Sequence, residues 1–365
     1  MPARSSRRTM LRFSTLAMVG LLSGCGSGSG QTSPSEPSKE LNLYAWSEYI
    51  PKEMLTHFTQ QTGIKVNYDT FSSNEELLAK LQAGATGYDL VIVSDYTVAI
   101  LRGQDQLEPL DKAQLPNLIN IDDAFKHPPY DPSSQFTVPY QWGTVGLAIN
   151  TDKIKQPITR WADLWNPAFK EKIVLLDDEF EVLGMVLQTL GLDKNTKDPK
   201  QLEAAKVKFA SLRPNIKLFD SDSPKTALLA GEVAMGMVWN GEAALAYREN
   251  PKIIYICPQE GCGIWHDSWA IPKGAPHQDA ALAFLNYSLT PEAGMLITRE
   301  FPYSNPNKAA LNLLKIKDPK AYKVYMDSPS TNPPPAFIKA AKPVDEKGDA
   351  TPQWDRVWTE IKGGS

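Results

Sequence analysis

The chain has 365 residues, of which 42% are hydrophobic and 22% are charged, so it is long enough for two lobes with separate cores. No apolar run long enough to cross a membrane follows residue 24, which excludes a bundle of membrane-spanning helices. The formal net charge is −4, and this balance argues against a protein that binds nucleic acid by neutralising phosphates.

The first 25 residues have the pattern of an export signal. Four arginines accompany an apolar run from Phe13 to Leu22, and the segment ends in Leu-Ser-Gly-Cys at Cys25. This ending resembles the bacterial lipobox, so we expect residues 1–24 to be removed as a lipoprotein signal peptide and Cys25 to be lipidated. The run Ser-Arg-Arg-Thr-Met-Leu also fits a twin-Arg signal, and the sequence leaves the export route open.

Residues 25–40 are predicted to be a lipidated Cys followed by a flexible tether. Residues 26–40 contain no Leu, Ile, Val or aromatic residue, and such a composition cannot offset the entropy lost on ordering. A tether of this length reaches roughly 20 Å. Removal of residues 1–24 takes away four Arg and no acid, so the exported part has a net charge of −8. We expect a periplasmic, acidic protein anchored to a membrane by its lipid.

Strands and helices alternate from residue 41 onwards. The pattern predicts strands at 41–46, 64–68 and 89–93, one helix between Pro51 and Gly63, and a second between Ser73 and Gly84. Ser73 and Glu76 have the spacing of a capping box. This βαβαβ order implies a mainly parallel sheet, in which ligand contacts cluster beyond the carboxyl ends of the strands.

A second α/β unit follows further along the chain. The pattern predicts a strand at 173–176, a helix from Asp178 to Leu190 closed by Gly191, a strand at 231–239 and a helix at 278–289. Asp178 and Glu181 stand at the helix start, where an N-cap and an N3 acid satisfy free backbone amides without any ligand. Capping and ligand binding both remain open for this pair.

Cys257 and Cys262 flank a four-residue turn, and their spacing suits a hairpin. In an exported protein we expect them to form a disulfide. A zinc site would need more ligands than His266, the one histidine near the pair, so we expect no metal and no cofactor.

The loops beyond the predicted strands are rich in aromatic and acidic residues. They contain Trp46, Tyr49, Tyr96, Trp239, Trp265 and Tyr303 together with Glu48, Asp95, Asp178, Glu181, Glu242 and Asp267. Ring faces attract cations and carboxylates accept N–H bonds, so this lining matches a slender alkylammonium. Each residue taken alone also fits ordinary packing or a solvated charge. Only the occurrence of all of them in these loops favours a ligand-binding site.

Several motifs, taken in order, resemble those of bacterial periplasmic spermidine/putrescine-binding proteins of ABC transporters. The runs are YAWSEYIPKEMLTHFTQQTGIKV, DLVIVSDYTVAIL, PYQWGTVGLAIN, DDEFEVLGMVLQTLG, GMVWNGEAALA and WHDSWAIPKGA, and the likeness spans residues 41 to about 311. The resemblance implies an α/β, two-lobed, type II periplasmic-binding-protein-like fold that closes over a polyamine in the cleft between its lobes.

The resemblance also implies a set of ligand-binding residues. They are Trp46, Ser47, Glu48, Tyr49, Ser94, Tyr96, Asp178, Glu181, Ser221, Trp239, Trp265, Asp267 and Tyr303. Among them, Asp267 looks like the anchor for one ammonium group. Asp95 stands where better-known spermidine binders carry Thr, and a Gln used by some members has no clear counterpart here, where Val344 or Asp345 would align.

The expected lobes are discontinuous. The first comprises residues 41–143 and 267–311, and the second comprises residues 146–262 and 315–365. The chain would cross between them at 144–146 and 264–267, which would make these segments the hinge.

The function expected from these observations is that of a monomeric, lipid-tethered binding protein. It would capture putrescine or spermidine and deliver it to the permease and ATPase of an ABC transporter, without nucleic acid and without catalysis.

One alternative is a binder of another small cationic amine, although an amino acid derivative would call for an Arg or Lys that the recognised loops lack. The other is an exported hydrolase that uses the acids near 178, 181 and 267 as general acid and base. The sequence has four His, no G-x-S-x-G motif and no H-E-x-x-H motif, so it lacks the residues that most other catalytic mechanisms require.

Overall fold

The computed structural model describes residues 36–84 and 87–363. The predicted signal peptide, the lipidated Cys25 and most of the predicted tether lie outside these residues. No described helix is long and apolar enough to cross a membrane.

The strands form one mixed sheet. They are β1 Glu40–Trp46, β2 Lys65–Phe71, β3 Leu90–Ser94, β4 Thr137–Asn150, β5 Ile173–Leu175, β6 Ile216–Phe219, β7 Met235–Trp239, β8 Ile253–Ile256 and β9 Gly263–Ala270. Their order across the sheet is β2-β1-β3-β9-β4-β7-β5-β6, with β8 also paired to β4.

The α-helices connect and cover these strands. They are α1 Lys52–Thr62, α2 Asn74–Gln82, α3 Asp95–Gly103, α4 Glu179–Thr189, α5 Pro199–Ala210, α6 Lys225–Leu229, α7 Asn240–Glu249, α8 Gln278–Ser288, α9 Pro291–Glu300, α10 Lys308–Lys317, α11 Pro319–Asp327, α12 Pro335–Ala340 and α13 Thr351–Gly363. Short 3-10 turns add to them at 112–114, 116–120, 123–125, 161–165, 167–169, 213–215 and 348–350.

The sheet consists of two parallel parts joined by two antiparallel strands. β1, β2 and β3 are parallel to one another, and so are β5, β6 and β7. β4 pairs with β9 along its first part and with β7 along its second part, so it passes from one parallel group to the other. Thr144 pairs with Ile264 and Gly143 pairs with Trp265, which brings the two predicted crossing segments side by side.

Each parallel part has hydrophobic cores on both faces of the sheet. Successive side chains of a strand point to opposite faces, and Leu43 and Tyr44 accordingly belong to two different clusters of the first lobe. Leu147 and Ala148 divide in the same way between two clusters of the second lobe. These four clusters support the two-lobed architecture expected from the sequence.

The predicted lobe boundary at residue 315 lies within a group of helices that pack on one another. It falls inside α10, which packs against α9 and α11 rather than against the second lobe. The hydroxyl of Tyr325 in α11 donates to the carbonyl of Tyr303 at 3.1 Å and accepts from the amide of Asn305 at 2.8 Å. The chain is back at the second lobe by residue 343, where the carbonyl of Pro343 accepts from the side-chain amide of Asn195 at 3.0 Å, and Trp354 of α13 is fully buried in that core. A sequence of helices carries no mark of which lobe each one covers.

The predicted elements of the first unit are confirmed, with small shifts at their ends. Gly63 ends α1 with a φ of 75°, a conformation that glycine adopts without strain. Ser73 caps α2 by accepting from the amide of Glu76 at 3.1 Å. The reciprocal bond to Glu76 comes from the amide of Ser72, one residue earlier than a standard capping box.

Cys257 and Cys262 form the predicted disulfide, with 5.5 Å between their Cα atoms, so their thiolates are not zinc ligands. The predicted hairpin is wrong, because β8 and β9 do not pair with each other. Both pair with the same edge of β4, one after the other, and the disulfide-closed loop lies between them. The carbonyl of Cys262 accepts from the amide of Lys342 at 3.1 Å, which ties this loop to the C-terminal segment.

Replacement of both cysteines by serine should lower the free energy of unfolding by about 2 kcal/mol, because so short a loop constrains the unfolded chain only modestly. Urea denaturation of the oxidised wild type and the double variant measures the difference. Reductant should lower the wild type to the level of the variant and leave the variant unchanged. Equal stability of the oxidised proteins would contradict a stabilising role for the disulfide.

Candidate functional site

A cavity of about 570 Å³ lies beyond the carboxyl ends of β1, β3, β5, β6 and β7, next to β9. The position is that expected for a ligand site in a sheet of this type. Every residue of the predicted site lines the cavity except Glu48. The carboxylate of Glu48 forms an ion pair with Lys225 at 2.8 Å instead.

Asp267 is one of the buried acids of the cavity, and only 5% of it is exposed. Its carboxylate accepts one hydrogen bond from the hydroxyl of Ser94 at 2.7 Å and another from the hydroxyl of Tyr49 at 2.8 Å. Burial raises the pKa of Asp267 to about 7, although both hydrogen bonds favour the charged form. The pairing of Ser94 with Asp267 between β3 and β9 holds this arrangement in place.

Asp178 and Glu181 both line the cavity, but their carboxylates have different partners. Asp178 is the N-cap of α4 and accepts from the amide of Glu181 at 2.9 Å. Burial, and next the charge of Glu181, raise the pKa of Asp178 to about 7. Glu181 accepts from the ammonium of the buried Lys194 through both oxygens at 3.2 Å. Asp178 therefore both caps the helix and faces the cavity, whereas the charge of Glu181 is already compensated.

Aromatic rings form one wall of the cavity. Trp239, Trp265, Tyr303 and Tyr49 follow one another with centroid distances of 6.3, 5.4 and 5.4 Å, and all contacts are edge to face. Trp239 and Trp265 pack against the cores of both lobes, so this wall lies where the lobes meet. Their faces offer electron-rich surface to a cation and apolar surface to methylene groups.

The opposite part of the cavity contains Tyr96. Its hydroxyl donates to the carboxylate of Glu75 at 2.9 Å, and its ring meets the ring of Phe180 from the other lobe at 5.5 Å. Burial, and then the charges of Glu75 and Asp178, raise the pKa of Tyr96 well above its ordinary value. Tyr96 stays neutral as a result, and the two carboxylates lie close enough to influence the same phenol.

The lining is strongly acidic. Nine Asp and Glu residues line the cavity together with nine aromatic residues, and no Lys or Arg among the described residues does so. Burial raises the pKa of Glu179 to about 9, which keeps that carboxyl neutral at pH 7. The hydroxyl of Ser221 is buried and has no hydrogen-bond partner among the described residues. A ligand that donates N–H bonds and carries positive charge would complement such a lining.

No group of three or more His, Cys, Asp or Glu in the described part of the chain is placed to hold a metal ion. Asp95 lines the cavity as the expected rim acid, and one of its oxygens accepts from the amide of Tyr96 at 2.9 Å. Its other oxygen lies 3.4 Å from Nδ1 of His266.

Several cavity residues have no signal in the sequence. Glu75 lies in a helix start that reads as ordinary capping, and Trp358 lies on the C-terminal helix, far from every recognised motif. Val344 lines the cavity in the segment where the family Gln has no counterpart. Its neighbour Asp345 bonds through its amide to Asn195 at 3.0 Å. The side chain that this segment contributes to the cavity lining is therefore the apolar one of Val344.

A family model described as bacterial extracellular solute-binding protein matches residues 53–324. The spermidine/putrescine-binding periplasmic protein of Salmonella typhimurium is 37% identical over 326 residues, which cover 89% of this chain and 92% of the relative.

Two solved structures are also similar. One is the spermidine/putrescine ABC transporter substrate-binding protein PotD of Streptococcus pneumoniae, with a TM-score of 0.74 and 36% identity, covering 90% of this chain and 99% of the other. The second is the TpPotD lipoprotein of Treponema pallidum, with a TM-score of 0.77 and 27% identity, covering 88% and 99%.

Asp267→Asn should change the stability of the ligand-free protein in a pH-dependent way. The pKa of Asp267 is about 7 in the folded protein and near 3.8 otherwise, so the folded state holds this proton more tightly. Its contribution to stability is present below about pH 4 and is lost as pH rises through 7. An asparagine cannot ionise, and its amide can still bond to both neighbouring hydroxyls.

Urea denaturation at pH 5 and pH 8 tests this expectation. Between these pH values the stability of Asp267→Asn relative to wild type should rise by roughly 2 to 4 kcal/mol. The exposed Asp123, whose pKa a bond from Lys126 lowers, gives a control variant, Asp123→Asn, with no such change. A difference between Asp267→Asn and wild type that is the same at both pH values would contradict the account.

Proposed function

The chain belongs to the family of bacterial extracellular solute-binding proteins, and we propose that its solute is a linear polyamine of the putrescine or spermidine class. The protein binds this solute between its two lobes and delivers it to the permease and ATPase of an ABC transporter. It is a transport protein and not an enzyme. The relatives named above bind spermidine and putrescine, and the cavity has the chemistry that such ligands require.

The observation that carries the proposal is a cavity with many carboxylates, many rings and no basic side chain among its described lining. A polyamine carries alkylammonium groups separated by methylenes. Carboxylates accept the N–H bonds of such groups, and ring faces stabilise both the charge and the methylenes. An anionic solute would meet repulsion from the same acids, and a sugar would leave their charge uncompensated.

We assign the two ends of the ligand to Asp267 and Asp178, the two acids of the cavity lining whose pKa burial raises to about 7. Asp267, oriented by Ser94 and Tyr49, anchors one ammonium group. Asp178 receives the other, near Glu75 and Tyr96. The methylenes between them pack on the rings of Trp265 and Tyr303 and their neighbours. Both lobes contribute contacts, so the ligand favours the closed state through its greater affinity for that state.

The alternatives meet specific difficulties. A zwitterionic amino acid derivative needs a cation for its carboxylate, and the nearby Lys194 and Lys225 are already engaged by glutamates. The hydrolase hypothesis assigned catalysis to Asp178, Glu181 and Asp267. The family to which the chain belongs consists of solute-binding transport proteins, so these acids have a binding role instead.

The N-terminal segment supports a membrane-anchored location outside the cytoplasm. We propose that residues 1–24 are a signal peptide, that Cys25 is lipidated and that residues 26–40 are a tether. The similar protein of Treponema pallidum is a lipoprotein. Anchored in this way, a monomer would stay within reach of its transporter.

Calorimetric titration with putrescine, spermidine, a monoamine of equal length and a dicarboxylate tests the proposed solute. Both polyamines should bind, and the monoamine and the dicarboxylate should bind weakly or not at all. Asp267→Asn should weaken polyamine binding by roughly 2 to 5 kcal/mol, as for the loss of one member of a buried charge pair. Asp123→Asn should bind as the wild type does. Tight binding of the dicarboxylate, or unchanged polyamine affinity in Asp267→Asn, would overturn the proposal.

A further inference from the structure

Lys225 forms a compact ionic cluster beside the cavity. Its ammonium lies 2.8 Å from the carboxylate of Glu48 and 3.0 Å from both oxygens of Glu242, and it also bonds to the hydroxyl of Ser223 at 2.9 Å. The side chains of Lys225 and Glu242 are only 13% and 4% exposed. Three partners satisfy the three hydrogens of the ammonium, so Lys225 is a fixed, partly buried cation.

The cluster joins the two lobes. Glu48 follows β1 of the first lobe, whereas Lys225 and Glu242 begin α6 and α7 of the second. Burial lowers the pKa of Lys225, but the charges and hydrogen bonds of Glu242 and Glu48 outweigh that effect and leave it above the ordinary value. Lys225 therefore stays charged at every pH at which a polyamine is charged.

The cluster lies directly behind the cavity wall. Ser47, which precedes Glu48, lines the cavity and donates to Asp222, another lining residue. A Cβ atom on Gly241 would lie 2.4 Å from the ring of Tyr303, so the turn that carries Glu242 packs against the aromatic wall. Burial raises the pKa of Tyr303 well above its ordinary value, and the charge of Glu242 raises it further.

The end of a lysine side chain is a primary alkylammonium, which is the same group that ends a polyamine. Glu48 and Glu242 would otherwise be two acids beside the cavity, available to a ligand cation. Lys225 engages both of them. Burial raises the pKa of Glu242 to about 7 even though Lys225 opposes that shift, so this carboxylate depends on a neighbouring cation to stay ionised.

Asp178 and Asp267 contrast with this pair. Within the described part of the chain, neither of them forms an ion pair with a Lys or Arg side chain. The two proposed anchors are thus left for a ligand cation, whereas the neighbouring pair Glu48 and Glu242, which lies outside the cavity lining, already holds an ammonium that belongs to the protein.

We propose that Lys225 is a built-in ammonium that fills the position where the third ammonium of a triamine would bind, so that the cleft selects linear diamines over triamines. This inference rests on the proposed polyamine function and specifies the ligand class. Lys225 is a specificity residue in this account, since it acts through Glu48 and Glu242 and leaves the anchors at Asp267 and Asp178 unchanged.

Titration of putrescine and spermidine into the wild type and Lys225→Ala tests the proposal. The wild type should bind putrescine more tightly than spermidine. In Lys225→Ala, where both space and carboxylates become available, the affinity for spermidine relative to putrescine should rise at least tenfold. Lys225→Met keeps most of the side-chain volume and removes the charge, so it should raise the affinity for spermidine relative to putrescine by a smaller factor. This variant replaces Lys225→Ala in the test if the alanine variant does not fold.

Lys206→Ala is the matched control. Lys206 also belongs to the second lobe and also pairs with two glutamates, Glu203 and Glu360, but these lie on α5 and α13 of the same lobe, so this cluster does not reach the loop that carries Glu48. The affinity of this variant for spermidine relative to putrescine should equal that of the wild type. An unchanged ratio in both Lys225 variants overturns the inference, and so does an equal loss of affinity for both amines, which would make Lys225 a contact between lobes without selectivity. If the wild type binds neither amine, the proposed function itself fails.

Discussion

The burial of carboxylates without basic partners is the constraint on which this site depends. An ionised carboxylate removed from water is costly unless a cation or several hydrogen bonds compensate it. Asp267 has two hydroxyl donors and Asp178 has one backbone donor, and neither has a Lys or Arg partner among the described residues. Their pKa values of about 7 express this incomplete compensation. The buried acids of the cleft therefore favour a ligand that supplies positive charge.

The fold places these carboxylates where the two lobes meet. β4 and β9 cross between the lobes side by side, and Asp267 and Trp265 lie on β9 at the crossing. Asp178 lies at the start of a helix in the other lobe, at the carboxyl end of β5. A ligand that holds both acids therefore holds both lobes, and Lys225 already makes one such connection through Glu48. Capture of the solute and closure of the lobes are in this way consequences of the same charges.

The sequence predicts the α/β class, the βαβαβ unit and most of the cavity, because strand ends and aromatic–acidic motifs are local features. It does not reveal which lobe α10 and α11 cover, because amphipathic helices look alike whatever they pack on. Lys194 and Lys225 were also missed as partners of Glu181 and Glu48, since each ion pair joins positions that lie apart in the chain. The disulfide followed from spacing, whereas the hairpin did not, since β4 competes for both flanking strands.

Proton release on ligand binding would show whether the buried carboxylates ionise when a polyamine enters the cleft. It can be counted by calorimetric titration with putrescine in buffers of different ionisation enthalpy. Alkylammonium groups stay charged below about pH 9, so any proton released comes from the protein. If Asp178 and Asp267 ionise on binding from pKa values of about 7, between about one and two protons should be released at pH 6 and close to none at pH 8. Binding without proton release at pH 6 would contradict the account.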